Sequence, residues 1–163
     1  MGDRVDCLFQ EWHQLGGAVL LAEADTTPLP RAPEKTIAES TSHCRASGRL
    51  TWVVLDWLIH HIEQVDEQKL LQETKEKGDL SVLGVLCDAA RQRNPHPKFE
   101  RIIEACIPHD KVEPFFYRVE QSRLASRLAR ENALDVFRRW NYLCSEVRYL
   151  GQHPVRNTKE RTR

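Results

Sequence analysis

Apolar residues recur along most of this chain at intervals of three and four, which is the spacing of amphipathic helices. This spacing predicts helices over residues 3–15, 33–45, 50–63, 66–77, 79–93 and 97–107. The helix over 33–45 is poor in apolar residues, so we expect it at the surface. The helix over 50–63 is apolar on nearly every side, so we expect it in the middle of the fold.

Aspartates mark the starts of two of these helices. Asp66 and Asp79 stand in the position of an N-cap, and Gly78 ends the helix between them. Because the loops are short, consecutive helices over 50–93 should be antiparallel neighbours. The pairs 50–63/66–77 and 79–93/97–107 have the form of two helical hairpins, but their residues do not repeat. The predicted fold is therefore a single-domain, all-α irregular bundle of about seven helices.

Three consecutive aromatic residues, at 115–117, separate this helical body from a C-terminal region that is also patterned as helix. The spacing predicts helices over 121–131 and 132–143, the second capped by Asn132. Their apolar face should pack on the body through Leu124, Leu128, Leu134, Phe137 and Trp140. We expect one helical domain over 1–150 and a disordered basic tail over 151–163, where apolar residues are scarce.

Opposite charges are concentrated in the two halves of a chain whose formal net charge is zero. Residues 1–78 hold eight basic and thirteen acidic side chains, whereas residues 79–163 hold sixteen basic and eleven acidic ones. Such an asymmetry favours an anionic partner for the C-terminal third, either a nucleic acid or an acidic protein surface.

Cysteine usage and hydropathy indicate a compartment. The five cysteines are odd in number and widely spaced, which is typical of a reducing environment. No signal-peptide pattern precedes them, and the longest apolar run, at 18–22, is far shorter than the ~20 residues of a membrane span. We therefore expect a cytoplasmic protein without a membrane partner.

Histidines and cysteines are the candidate metal ligands, and their spacing argues against a metal site. His60 and His61 are adjacent, so on a helix they point about 100° apart and cannot share one metal ion. Asp56 could orient His60 from one turn earlier, but a structural pair is the simpler interpretation. A second set lacks the compact spacing of a zinc finger and consists of His43, Cys44, Cys106 and His109. We expect neither a metal nor another cofactor, and we identify no catalytic residue.

Two stretches, Arg91 to His96 and Arg148 to His153, match the spacing R-x4-H. This spacing is similar to the motif of HEPN ribonucleases, helical proteins whose arginine and histidine meet across a dimer interface to cut RNA. Chance alone supplies about two such matches in a chain rich in arginine, and the flanking prolines place His96 in a loop. A helical ribonuclease is therefore our third hypothesis.

Arginines form the clearest candidate binding surface. Arg123, Arg127 and Arg130 recur at i, i+4 and i+7, which would place them in one stripe along a helix. Guanidinium groups suit phosphates or carboxylates, which they bind through paired hydrogen bonds. The further candidates are Arg138, Arg139 and Arg148 for charged contacts, and Phe115, Phe116 and Tyr117 for hydrophobic contacts.

No arrangement of acid, base and nucleophile is evident, so we expect a non-enzymatic protein that binds another macromolecule. A protein partner is the first hypothesis, because the small helical chain with an arginine-rich end resembles the antitoxin or inhibitor subunits found beside enzymes in bacterial operons. The second hypothesis is an RNA- or DNA-binding accessory protein that uses residues 118–163. The pattern selects no oligomeric state.

Overall fold

The computed structural model describes residues 2–17, 31–117, 124, 127 and 133–145, and the chain is mostly helical over these ranges. The helices are α1 (Gly2–Gln14), α2 (Pro33–Thr41), α3 (Gly48–His61), α4 (Glu67–Lys77), α5 (Leu80–Arg93), α6 (Pro97–Ala105) and α7 (Asp135–Arg138). Short 3-10 turns follow α2 and α3, at Cys44–Ala46 and Ile62–Gln64. The described strands are β1 (Glu113–Pro114) and β2 (Tyr142–Leu143), which pair in parallel. The prediction of an all-α fold is confirmed.

Side-chain caps fix where the central helices begin. Asp66 accepts hydrogen bonds from two amides in the first turn of α4, and Asp79 does the same for α5. The Ser47 side chain accepts a hydrogen bond from the Leu50 amide at the start of α3. These oxygens satisfy amides that have no partner within the helix itself. The two predicted aspartate caps are confirmed.

Helices α3 and α5 pack against each other and form the centre of the core. Every residue of α5 from 81 to 90 is buried. Trp57 of α3 packs against Trp12 of α1, with the ring centroids 5.5 Å apart, and its indole N–H donates to the Leu15 carbonyl. Helix α6 covers α5 and buries Phe99. The central position predicted for 50–63 is confirmed. None of the described helices has the length and apolar character needed to cross a membrane.

Helix α2 is buried, contrary to the surface position expected for it. Glu34 accepts a hydrogen bond from the Asp66 amide at 2.7 Å, and Ser40 accepts one from the Trp12 indole at 3.0 Å. Thr41 accepts a third from the amide that precedes α5. Because these polar groups have partners on other elements, their burial is not penalised, and a helix poor in apolar residues can lie inside the fold.

The arrangement of the neighbouring helices follows from this burial. Helix α4 packs mainly against α2, whereas α5 packs against α3 and α6. The expected close packing of 50–63 against 66–77 is therefore not found, because the main neighbour of α4 is α2. The pair 79–93/97–107 does pack together.

The region predicted as a helix over 132–143 is mostly not helical. Helix α7 makes one turn, and Asn141 then adopts a positive φ of 67°, which ends it before β2 begins. Phe137 and Trp140 are buried as predicted, but Leu124 is 57% exposed and does not cover the body. Asn132, Leu128 and the predicted tail at 151–163 lie outside the described residues.

A buried carboxylate, Asp88, fastens this C-terminal region to α5. It accepts hydrogen bonds from Arg139 Nε and Trp140 Nε1, each at 2.9 Å, and from Arg91 Nε at 3.0 Å. The Trp140 ring lies so close to Gly84 that an added Cβ would stand 2.4 Å from it. The absence of a side chain at residue 84 therefore allows the close approach.

We predict that Trp57→Ala lowers the free energy of unfolding by about 3–5 kcal/mol through the cavity that it leaves. His60→Ala is the control on the same helix, because the His60 side chain is 57% exposed. That variant should change stability by less than about 0.5 kcal/mol. Urea unfolding followed by circular dichroism measures both values, and equal stability of the two variants would contradict the placement of Trp57 in the core.

Asp88 should make the fold sensitive to acid. Burial alone would raise the pKa of Asp88, but hydrogen bonds from Arg139 and Trp140 outweigh burial and lower it. A carboxyl whose pKa is lower in the folded than in the unfolded state stabilises the fold above its unfolded pKa of about 3.9, and this contribution is lost as the pH falls.

We therefore predict that Asp88→Asn is less stable than the parent at pH 7 and loses less further stability between about pH 5 and pH 2. The exposed Asp6→Asn should follow the parent throughout. Urea midpoints across this range provide the measurement. A parallel acid response of Asp88→Asn and the parent would show that Asp88 is not the titrating group.

Candidate functional site

Exposed apolar side chains are concentrated in the stretch that follows α6. The large hydrophobic residues exposed among the described ones are Ile107 at 63%, Val112 at 53%, Tyr117 at 61% and Leu124 at 57%. All but Leu124 lie within residues 106–117, which we call the connecting segment. Isolated exposed apolar residues are ordinary in proteins, whereas a concentration of them marks a candidate contact surface.

The backbone of the connecting segment is held against the C-terminal region. The His109 amide donates to the Trp140 carbonyl at 3.2 Å, and the Asn141 side-chain amide donates to the His109 carbonyl at 2.7 Å. Further along, the Glu113 amide donates to the Asn141 carbonyl just before β2, and the Phe115 amide donates to the Leu143 carbonyl within β2. The exposed side chains therefore stand on an ordered backbone.

Arg45 holds the same segment from the opposite side. Its side chain is only 6% exposed, and its guanidinium donates to the Phe115 carbonyl at 2.7 Å and the Pro114 carbonyl at 2.8 Å. The same group forms a 2.7 Å ion pair with the Glu113 carboxylate. The hydrogen bond from Arg45 holds the pKa of Glu113 below its usual range.

Aromatic rings enclose the Arg45 guanidinium. It lies 4.4 Å from the centroid of the Tyr117 ring and 4.8 Å from that of Tyr142. The His109 ring stacks on the Tyr142 ring, with the ring centroids 5.0 Å apart. His109 Nε2 lies 3.0 Å from a carboxylate oxygen of Glu113. Cation–π contacts of this kind are strongest where water is excluded, so the rings help to compensate the buried charge.

A surface cavity of about 400 Å³ lies beside the connecting segment. Its walls come from the end of α4, the start of α5 and residues 107–110. At its base, Ser81 Oγ is 2.6 Å from both Asp79 Oδ1 and the Tyr142 hydroxyl. Burial raises the pKa of Tyr142 to about 12, so this hydroxyl keeps its proton. The hydroxyl groups are thus bound to one another, and Ser81 has no imidazole base among its described partners.

The predicted arginine surface is described only in part. Arg127 is exposed, as is Arg138, whose Nε donates to the Ala133 carbonyl at 3.1 Å. Arg139 is bound to buried Asp88, so its described contact stabilises the fold. The predicted residues outside the described ranges are Arg123, Arg130 and Arg148.

The predicted hydrophobic contacts separate into three environments. Phe115 is fully buried and packs edge-on against Phe137 and Tyr142, so it is a core residue and not a surface contact. Phe116 is partly buried, and Tyr117 is exposed. Sequence reasoning missed Ile107 and Val112, although both precede the aromatic cluster in a stretch without helical spacing.

The arginine and histidine of the R-x4-H stretch at 91–96 have partners within the chain. Arg91 forms ion pairs with Asp88 and Glu100, and His96 caps α6 by accepting a hydrogen bond from an amide of its first turn. Within the chain, Arg91 and His96 thus have separate partners, and Arg148 and His153 of the second R-x4-H stretch lie outside the described residues.

No group of three metal-ligating side chains occurs among the residues described by the structure. Burial raises the pKa values of Cys44 and Cys106 to about 12, so neither thiol is ionised near neutral pH. The described positions of His43, Cys44, Cys106 and His109 do not bring three of these side chains together.

Comparison of the chain with protein-family models, with curated proteins and with solved structures finds no match.

We predict that Arg45→Met loosens the connecting segment, because the carbonyls of Pro114 and Phe115 lose their donor. Leaving a buried acceptor without a partner costs about 1–3 kcal/mol. Unfolding in urea should show this loss, and hydrogen exchange should be faster at the Tyr117 amide, which donates to the Arg45 carbonyl. The exposed Arg93→Met is the control. Unchanged exchange at Tyr117 in Arg45→Met would contradict the role of the guanidinium.

Proposed function

We propose that this chain is a protein-binding module and that the connecting segment is its contact surface. The observation that carries the proposal is the exposure of Ile107, Val112 and Tyr117 on a backbone fixed by Arg45 and β2. A partner that covers these side chains would gain about 25 cal/mol for each Å² of apolar surface removed from water.

The fixed backbone of the connecting segment favours a higher binding affinity. A flexible loop loses conformational entropy when it binds, whereas a segment already held in place loses less. Tyr117 suits such a surface in particular, because tyrosine offers a large apolar ring and a polar tip and is enriched among the residues that dominate binding energy.

The contacts at the cavity support a binding role within an assembly. Ser81, Asp79 and Tyr142 bind one another, which favours a binding subunit over an enzyme. An antitoxin- or inhibitor-like subunit that covers part of another protein is one form of this proposal.

Binding of RNA or DNA is the second candidate function. Residues 118–163 carry eleven basic and five acidic side chains, and Arg127 is exposed. Such a surface would bind phosphates with strong dependence on salt and little dependence on base sequence.

Capture from an extract of the native host tests the proposal with three tagged forms of the full chain. The first is the parent, the second is Ile107→Ser/Val112→Ser, and the third is the control Gln92→Ser/Glu104→Ser, which changes exposed polar residues on other helices. Mass spectrometry quantifies captured proteins, and nuclease treatment of the extract removes those that bind through nucleic acid.

We expect at least one protein to be retained by the parent and the control after nuclease treatment, and to fall about tenfold with the Ile107/Val112 variant. Equal capture by all three forms would overturn the proposal. A fourth form, Arg123→Gln/Arg127→Gln/Arg130→Gln, tests the second candidate. If captured material disappears with nuclease and with this variant alone, nucleic-acid binding is the better assignment.

A further inference from the structure

We infer that the cavity beside the connecting segment receives a basic side chain of the partner, an arginine or a lysine, because the carboxylates of Asp79 and Asp110 share it with the apolar wall formed by Leu80, Ile107 and Pro108. This inference rests on the proposed protein-binding function and adds the chemical character of the partner's contact residue. The connecting segment contributes Ile107 and Asp110 to the cavity, so a partner that covers the segment also reaches the cavity.

The two carboxylates retain oxygens for a ligand. Asp79 uses Oδ1 for the cap of α5 and for the bond to Ser81, and within the described part of the chain its Oδ2 accepts no hydrogen bond. Asp110 is 84% exposed, and its described charged contact is His109 Nε2 at 3.7 Å. A guanidinium carries several donors in one plane and can bind two carboxylate groups together.

Two helix ends meet at the cavity, and both are at least partly compensated. Residues 74–78 on one wall belong to the C-terminal end of α4, where carbonyl groups without helical partners give a partial negative charge. The opposite wall is the N-terminal end of α5, but its amides are already bound by Asp79. The positive end of α5 is therefore compensated. The negative end of α4 is compensated in part by Lys75 and Lys77 in its last turn and by a hydrogen bond from Ser42 Oγ to the Lys77 carbonyl. The charged side chains of the lining therefore set the sign of charge in the cavity.

Lys75 is the opposing charge in the lining. It lies in the last turn of α4, is exposed, and forms no ion pair with any described residue. Two carboxylates against one ammonium give the aspartates and the lysine of the lining an excess negative charge. Lys75 should therefore weaken the binding of a cation without reversing the preference.

The apolar wall favours a long basic side chain over a small inorganic cation. Arginine and lysine carry long aliphatic stems that pack along apolar surface while the charged head reaches polar groups. Ile107 is 63% exposed at this place, so the stem of a bound side chain would cover it. A small inorganic cation would use the carboxylates and leave Ile107 in water.

Blocked dipeptides test this inference directly on the isotopically labelled full chain. The probes are acetyl-leucyl-arginine amide, the same peptide with citrulline as a neutral analogue of arginine, and the same peptide with glutamate. Amide chemical shifts of Gly78, Ser81 and Asp110 report on the cavity, and titration gives the dissociation constant of each probe. We expect saturating shifts with the arginine peptide and much weaker ones with the other two.

Charge variants identify the groups responsible. Asp110→Asn and Asp79→Asn remove one charge each, and asparagine at residue 79 still caps α5. Each should raise the dissociation constant of the arginine peptide about two- to fivefold, as expected for an exposed ion pair. Lys75→Gln should lower it, and the distant Asp6→Asn should leave it unchanged.

Three results would overturn the inference: no shift with the arginine peptide, equal binding of the citrulline peptide, or preferred binding of the glutamate peptide. These outcomes are separate from the test of the proposed function. If the Ile107/Val112 variant loses its captured protein while the arginine peptide fails to bind, only the assignment of the cavity is lost. If the peptide binds through Asp79 and Asp110 while capture is unaffected, the cavity assignment stands and the contact surface is elsewhere.

Discussion

The buried charge of Arg45 is the constraint on which the candidate site depends. A guanidinium removed from water is strongly destabilising unless hydrogen bonds and opposite charge replace its hydration. In this fold the replacements come from residues 113–115, which lie 68 to 70 positions along the chain from Arg45, and from the rings of Tyr117 and Tyr142. The connecting segment must therefore follow one path. Any other path would leave the Arg45 charge inside the protein without partners.

A second buried charge, the Asp88 carboxylate, constrains the C-terminal region in the same way. Asp88 lies on α5 and accepts hydrogen bonds from Arg139 and Trp140. The C-terminal region must therefore pack against α5. The pairing of β1 with β2 joins the two arrangements, because β2 begins two residues after Trp140 and holds the backbone of the connecting segment. In a mostly helical fold, two charged groups and a minimal sheet thus position the stretches that have no helical spacing.

Local signals explain why the helices could be predicted and the rest could not. The period of apolar residues, with Asp66, Gly78 and Asp79 as boundaries, located the central helices within a few residues. The burial of α2 depends on partners such as Asp66 and Trp12 that are distant in sequence, so composition alone misplaced it. The same holds for the site. Pairing with Asp88 gives the exposed Arg139 side chain a structural contact, and packing on Tyr142 places Phe115 in the core. These are long-range contacts that no local pattern indicates.

The hydrogen bonds that order the connecting segment also restrict how a partner can use it. Pro114 has no amide hydrogen, and the amides of Glu113 and Phe115 already donate to the C-terminal region. The carbonyls of Pro114 and Phe115 accept hydrogen bonds from Arg45. A partner therefore cannot extend this small sheet by adding a strand at β1, since the backbone groups that such pairing needs are occupied. In the binding mode that we propose, recognition would instead act through side chains. Affinity would then come from the apolar surface that is covered, and selectivity from the charge placed in the adjoining cavity.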